Sequence, residues 1–164
     1  MDMRPEEDLR LAARVDVPVL VTADSRDHRN LCARLIHDIG VYGGGPFVTF
    51  SIDDADEAAE EAKVAMLRRE FERARGGTLF VDDIAMLRAA TQAQLLSLLE
   101  ERLGHGSAVA PSDSVRVVAG ASRHLDAERE AGAFCTPLFY RLNLIHINLI
   151  PRHEDPQTET AVSH

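Results

Sequence analysis

The chain has 164 residues, of which 45% are hydrophobic and 27% charged, and its formal net charge is −9. This length suits one domain with a substantial core, and the negative charge argues against direct, non-specific DNA binding, which normally needs a basic face. No apolar run reaches membrane-spanning length, the N-terminus lacks a signal-peptide core, and the two cysteines are too few for a disulfide framework. We therefore predict a reduced, cytoplasmic protein with no membrane segment and no metal site built from its scattered histidines.

Short apolar runs alternate with helical stretches along the chain, which is typical of an α/β domain with a mostly parallel sheet. Most of these runs are almost continuously hydrophobic, as expected for strands covered on both faces, whereas the last one alternates and so suggests an edge strand or a half-covered strand. The predicted strands are residues 17–22, 46–51, 78–82, 115–120 and 144–150.

Helices are predicted between these strands. Each is bounded by a capping acid, a terminal glycine or a change in charge towards its end. They are residues 30–39, a segment from Asp53 or Asp54 to about Arg75, residues 90–103 before Gly104, and residues 124–131. We expect a helical lead-in over residues 1–14, a core domain over 15–150 with a loop at 104–113, and a flexible tail over 151–164.

The strand at residues 78–82 ends in two carboxylates, Asp82 and Asp83. An apolar strand with this ending is how P-loop ATPases support Mg²⁺ and direct a water molecule at the γ-phosphate. Such enzymes also need a lysine in a glycine-rich loop. The only lysine of this chain, Lys63, lies in a predicted helix. It is therefore not the phosphate-binding lysine.

Residues 15–150 resemble the AAA+ ATPase domain of sigma-54-dependent transcription activators. The resemblance is carried by Gly76-Gly77-Thr78-Leu79-Phe80-Val81-Asp82-Asp83-Ile84 and by Phe139-Tyr140-Arg141-Leu142-Asn143. It implies a three-layer P-loop NTPase-like core with a mostly parallel five-stranded sheet. It also implies that Gly-Ala-Phe-Thr-Gly-Ala, the family's sigma-54-contacting signature, would interrupt the second helix, but this chain has no such signature. We expect it to lack the family's helical lid, receiver and helix-turn-helix domains as well.

The segment aligned with the family's Walker A loop departs from it at residues 23–30. Ala23, Arg26 and His28 replace its three glycines, and Arg29 stands in place of its lysine. Glycines let backbone N–H groups turn inward around phosphate, and an arginine fork does not replace a compact ammonium in a tight loop. We predict an ordinary strand-to-helix loop, in preference to a working phosphate cradle.

The resemblance assigns roles to four further residues. Asp82 aligns with the aspartate that supports Mg²⁺, Asp83 with the glutamate that polarises water, Ser122 with the sensor asparagine, and Arg141 with the second of two arginine fingers. Cys135 replaces the first finger. If nucleotide binds, a degenerate site would therefore consist of Arg29, Asp82, Asp83, Ser122 and Arg141, with Asp82 as the Mg²⁺ ligand.

A structural interpretation of the same residues competes with this one. The two carboxylates would cap the following segment and lie solvated at the end of the strand, and Arg141 would pair with a carboxylate across the fold. We favour this alternative, because without a phosphate loop there is no γ-phosphate to act on.

Two functional hypotheses follow. The first is a non-catalytic interaction or regulatory module in bacterial transcription regulation, with no catalytic residues, no cofactor and a protein partner. This partner would bind the ends of the strands or a surface around Phe139, Tyr140 and Leu142. The alternative is a nucleotide sensor that binds ATP or ADP weakly, with Mg²⁺, through Arg29, Asp82 and Arg141. Both hypotheses leave a homo-oligomer open.

Overall fold

The computed structural model describes residues 5–52, 59–104 and 113–150. Its centre is a five-stranded sheet in the order β2-β3-β4-β1-β5, in which every pair of neighbouring strands is parallel. The strands are β1 (Val19–Thr22), β2 (Phe47–Ser51), β3 (Thr78–Asp82), β4 (Arg116–Ala121) and β5 (Ile145–Asn148). The predicted α/β class with a parallel five-stranded sheet is confirmed.

Helices connect the strands and cover the sheet. They are α1 (Pro5–Arg14), α2 (Arg26–Ile39), α3 (Glu60–Arg73), α4 (Ala89–Gly104), α5 (Leu125–Glu130) and α6 (Thr136–Leu142). A short 3₁₀ turn, Ile84–Met86, follows β3. Lys63 lies on α3, as predicted, with its side chain buried.

Two hydrophobic clusters lie on opposite faces of the sheet. On one face, Leu79 and Val81 of β3 share a core with leucines of α3, α4 and α6. On the other face, Phe80 shares a core with Ala33 and Ile36 of α2 and with residues of α1. Successive strand residues point to opposite faces, so a strand covered on both sides must be apolar throughout. This explains the continuous hydrophobic runs of β1, β3 and β4.

The strand predictions agree with the structure apart from their ends. β1 and β5 are shorter than predicted, β4 is displaced by one residue, and β5 is at a sheet edge, as its alternating pattern indicated. β2 is the other edge strand, and only Phe50 of its five residues is buried. Phe47 and Val48, on opposite faces of β2, pack against the two hydrophobic clusters, so this edge strand is partly covered on both faces.

The predicted start of α2 at residue 30 was wrong, because the helix begins four residues earlier, at Arg26. Ser25 has extended backbone angles, and its Oγ accepts a hydrogen bond from the backbone N–H of His28 at 3.4 Å. Serine at this position satisfies an N–H that has no partner within the helix, so the helix can start at once. Most of the segment aligned with the phosphate loop is therefore helical.

The structure corrects one further prediction. α6 was not predicted, and it buries Phe139 and Leu142, so only Tyr140 of the proposed docking surface is exposed, at 60%. Gly104 is the last residue of α4, in agreement with the prediction that this glycine ends the helix. The predictions for Asp53 and Asp54, for most of the loop at 104–113 and for the tail at 151–164 concern residues outside the described ranges.

Candidate functional site

Arg29 and Asp82 form a buried ion pair at the carboxyl ends of the strands. The Nε of Arg29 donates to Oδ1 of Asp82 at 2.7 Å, and its Nη2 donates to Oδ2 at 3.3 Å. Arg29 is 3% exposed and Asp82 is 2% exposed. A fork-to-fork pair of this kind is among the stronger polar contacts in proteins and fixes the orientation of both groups. The expectation that Asp82 lies solvated and caps the next segment is therefore wrong.

Arg29 also bonds to the backbone of the loop that joins β1 to α2. Its Nη1 donates to the carbonyl oxygens of Ala23 and Asp24, at 2.8 and 3.2 Å. A second arginine, Arg26, lies at the mouth of the site with its Nε 3.6 Å from Asp82 Oδ2, and its side chain is 64% exposed. The side chain that replaces the family's lysine thus bonds inward to the loop and to the strand.

Sheet geometry explains why these groups meet. Phe80 faces α2, so Asp82, two residues along the same strand, also faces α2. β4 separates β3 from β1, and Val81 pairs with Ala119 of β4, so Asp82 lies beside Gly120. A Cβ built on Gly120 would be 2.6 Å from Asp82 Oδ1. Glycine at this position therefore provides the space in which the carboxylate meets Arg29.

Asp83 and Ser122 form a second polar pair. Ser122 Oγ donates to Asp83 Oδ1 at 3.2 Å. Ser122 directly follows β4, and Asp83 directly follows β3. Asp83 has φ 54° and ψ 53°, a left-handed conformation that is uncommon outside glycine but easier for aspartate and asparagine. It precedes the 3₁₀ turn, but its carboxylate makes no capping bond there.

Arg141 lies apart from these two pairs. It is on α6, and its Nη2 is 3.9 Å from Oε1 of Glu100 on α4, with both side chains well exposed. This is the pairing across the fold that the structural interpretation expected. An exposed pair at this distance contributes little to stability. The structure therefore joins Arg29 to Asp82 and Asp83 to Ser122, but it gives Arg141 a different partner.

Sequence reasoning missed Gln92, a buried residue in the first turns of α4. Its Nε2 donates to the carbonyl oxygens of Leu87 and Ala133, and its Oε1 accepts from the backbone N–H of Cys135. It thereby ties α4 to the turn that precedes α6 and Arg141. A glutamine near the start of a helix carries no signal for this role, since two of its three partners are backbone groups more than forty residues away.

A cavity of about 410 Å³ lies between α4 and the same turn, lined by residues that include Leu96, Glu100 and Cys135. Its lining does not include Arg29, Asp82, Asp83 or Ser122. Within the described ranges, no three His, Cys, Asp or Glu side chains are grouped closely enough to hold a metal ion. Across the same residues, no helix is both long and apolar enough to cross a membrane.

The two cysteines differ in their surroundings. Cys32 is on the buried face of α2, and burial raises the pKa of its thiol from 9.0 to about 11. A thiol in this environment stays protonated and unreactive near neutral pH. Cys135 is half-buried beside the cavity. Both thiols are free.

Comparison with protein families matches residues 60–148, which are more than half of the chain, to the sigma-54 interaction domain. Among curated relatives, the Nif-specific regulatory protein of Klebsiella pneumoniae is 31% identical over 95% of this chain and 32% of its own length. The C4-dicarboxylate transport transcriptional regulatory protein DctD of Pseudomonas aeruginosa is also 31% identical, over 92% of this chain and 36% of its own length. The chain thus spans about a third of the length of these relatives.

Solved structures show the same fold. NtrX from Brucella abortus, crystallised in complex with ATP, superposes with a TM-score of 0.74 at 24% identity, over 89% of this chain and 34% of NtrX. The P-loop NTPase domain of a sigma-54 transport activator from E. coli superposes with a TM-score of 0.65 at 19% identity, over 88% of this chain and 99% of that domain. At these identities the likeness establishes the fold alone, and it is that of P-loop NTPases.

Proposed function

The chain belongs to the family of sigma-54 interaction domains, and we propose that it is a member that regulates transcription by binding a protein, without turning over ATP. The match to the sigma-54 interaction domain and the similarity to bacterial transcription regulators support a role in transcription regulation. The absence of catalysis is the further step, and it rests on the contacts of Arg29 and Asp82.

The observation that carries this proposal is the bidentate contact between Arg29 and Asp82. By the family resemblance, Asp82 is the carboxylate that would support Mg²⁺, and Arg29 stands where the phosphate-binding lysine would be. In this chain the two groups neutralise each other in a buried position. Bringing Mg²⁺ to Asp82 would leave the guanidinium buried without a carboxylate, which is unfavourable.

The start of α2 supports the same proposal. A phosphate cradle needs consecutive backbone N–H groups that point into a loop wide enough for a triphosphate. Here the loop is limited to residues 23–25, because Ser25 caps a helix that begins at Arg26. The carbonyl oxygens of Ala23 and Asp24 point at Arg29. Carbonyl oxygens repel phosphate, so this arrangement favours a cation over an anion.

The alternative, a weak nucleotide sensor, is supported by different contacts. Arg26 is largely exposed beside Asp82 and could meet a phosphate from outside the loop. Asp83 and Ser122 remain hydrogen-bonded to each other at the adjacent strand ends. A sensor of this kind would bind nucleotide near the mouth of the site and leave the Arg29–Asp82 pair intact.

A nucleotide titration tests the proposal and separates it from the alternative. We expect purified protein to hydrolyse no ATP above a no-protein background, and its melting temperature to be unchanged by millimolar ATP or ADP with Mg²⁺. A ligand at a hundredfold excess over its Kd would add about 2.7 kcal/mol of stability, or roughly 5–10 °C for a chain of this size. Mg²⁺ alone is the control.

Two outcomes of this experiment are informative. Hydrolysis that is lost in Asp83→Ala would reject the proposal. A melting shift without hydrolysis, lost in Arg26→Ala, would favour the sensor. Sedimentation of the protein with and without ATP adds an independent check, because nucleotide-driven assembly would also contradict a domain that works without nucleotide.

A further inference from the structure

We infer that the guanidinium of Arg29 is an internal cation that fills an oxygen-lined cradle and closes the β1–α2 loop onto β3 without any ligand. The inference rests on the proposed function, since both depend on Asp82 being occupied by Arg29. It goes further by assigning Arg29 a positioning role. In this role, Arg29 keeps the phosphate-loop region in one conformation whether or not nucleotide is present.

The guanidinium of Arg29 is surrounded by oxygens from two separate segments of the chain. All three of its nitrogens donate, and they meet four oxygens: Oδ1 and Oδ2 of Asp82, and the carbonyl oxygens of Ala23 and Asp24. Two of these oxygens belong to the end of β3 and two to the loop after β1. A guanidinium has five N–H groups in a planar fork, so a single side chain can hold both segments at once.

The buried carboxylate of Asp82 needs a positive charge close to it. A carboxylate that is 2% exposed is costly unless a positive group compensates it. Arg29 lies within 2.7 Å of it and is buried, whereas Arg26 is 3.6 Å away and mostly in solvent. On β4, a Cβ at Gly120 would lie 2.6 Å from Oδ1 of Asp82, so there is no room for a side chain at this position. The buried compensation therefore comes from Arg29.

The strand order keeps apart the two segments that Arg29 joins. β4 lies between β1 and β3, so the loop after β1 and the end of β3 are not hydrogen-bonded neighbours in the sheet. The backbone bond from Ala23 N–H to Ala121 O attaches the loop to β4 but does not reach Asp82. The side chain of Arg29 spans this gap. Within the described ranges, Arg26 makes the other side-chain contact to Asp82, and it lies at the exposed mouth of the site.

Chemical rescue of Arg29→Ala tests the inference. We expect this variant to melt on the order of 10 °C below the wild type, because removing one partner of a buried pair leaves the other uncompensated. Guanidinium chloride at low millimolar concentration, far below denaturing levels, should recover several degrees of that loss. Sodium chloride at equal ionic strength should not. The matched control is Arg29→Ala combined with Asp82→Ala, which should show no recovery because the carboxylate is gone.

The result that would overturn the inference is an Arg29→Ala variant whose melting temperature is unchanged from the wild type, or is lowered and not restored by guanidinium. Recovery of the same size in the double variant would overturn it as well, because the effect would then not involve Asp82.

A measurement on the wild type applies even if Arg29→Ala does not fold. In a ¹⁵N spectrum, the Nε–H of Arg29 should exchange with solvent at least about tenfold more slowly than that of Arg26, because it is buried and bonded to Asp82. Arg26 is a matched control, since it lies in the same helical turn but is exposed. Equal exchange rates would reject the cradle.

The inference and the proposed function can fail separately. ATP hydrolysis by the wild type would reject the proposed function. A guanidinium-insensitive Arg29→Ala variant, in a protein that neither binds nor hydrolyses ATP, would reject the cradle alone.

Discussion

Replacing Gly120 with alanine adds one carbon atom between the Asp82 carboxylate and the Phe80 ring. A Cβ at this position would lie 2.6 Å from Asp82 Oδ1 and 3.1 and 3.2 Å from two ring carbons of Phe80. An ordinary contact begins at 3.4 Å, so the carboxylate must retreat by about 0.8 Å. Since Oδ1 accepts the 2.7 Å bond from Arg29, this retreat stretches or breaks the shortest contact of the pair.

The expected cost combines two effects. Losing a hydrogen bond between charged groups costs about 1.5–3 kcal/mol, and forcing one extra carbon into a packed site costs about 1–3 kcal/mol. We therefore expect Gly120→Ala to lower the free energy of unfolding by about 3–5 kcal/mol and the melting temperature by roughly 10 °C. Because alanine suits a strand better than glycine does, backbone propensity would act in the opposite direction.

Urea denaturation of the wild type, Gly120→Ala and Gly44→Ala measures this cost. Gly44 is the matched control, since a Cβ built there meets no atom within 4 Å. Its substitution should change the free energy of unfolding by no more than about 0.5 kcal/mol. A loss below about 1 kcal/mol for Gly120→Ala, with an unchanged denaturant slope, would refute the argument that the space beside Asp82 is needed.

The remaining predictions concern the cysteines and Gln92. A thiol reagent at neutral pH should modify Cys135 and leave Cys32 unmodified in the native state. The mass of the protein should therefore increase by one label, and an increase by two labels would contradict the burial of Cys32. The pKa of Cys32, raised to about 11 in the folded state, means that its contribution to stability is present below pH 9 and is lost as the pH rises towards 11. The wild type should therefore lose up to about 3 kcal/mol more than Cys32→Ala over that range, and parallel pH profiles would contradict this. Gln92→Leu should lower the free energy of unfolding by about 2–4 kcal/mol, because it removes three hydrogen bonds to backbone groups, one of them buried and two partly buried, whereas Gln94→Leu on the same helix should have little effect.

Several features of this protein follow from local sequence. Strands that are buried on both faces must be apolar at every position, so β1, β3 and β4 were recognisable as continuous hydrophobic runs. The resemblance to sigma-54 activators depends on short motifs around Asp82 and Arg141, and the family match agrees with it. The replacement of the glycines and the lysine of the phosphate loop can also be recognised from the sequence alone.

Local sequence predicted the helices less well than it predicted the strands. The start of α2 depends on whether Ser25 caps the helix or belongs to an open loop, and both outcomes suit the same residues. α6 has only seven residues, too few for a clear helical period, so Phe139 and Leu142 could not be recognised as core residues. Their burial is decided by how α6 packs against α4 and the sheet.

The sequence by itself determined which groups were available to the candidate site: an arginine where a lysine would be, two aspartates after an apolar strand, and a glycine on the neighbouring strand. Only the tertiary structure decided that Arg29 and Asp82, 53 residues apart, bond to each other. The reason is that a side-chain pair depends on strand order and on the face each residue occupies, and the order β3-β4-β1 brings the two together across Gly120. Strand order is set by packing of the whole sheet, so it cannot be read from the residues that it brings into contact.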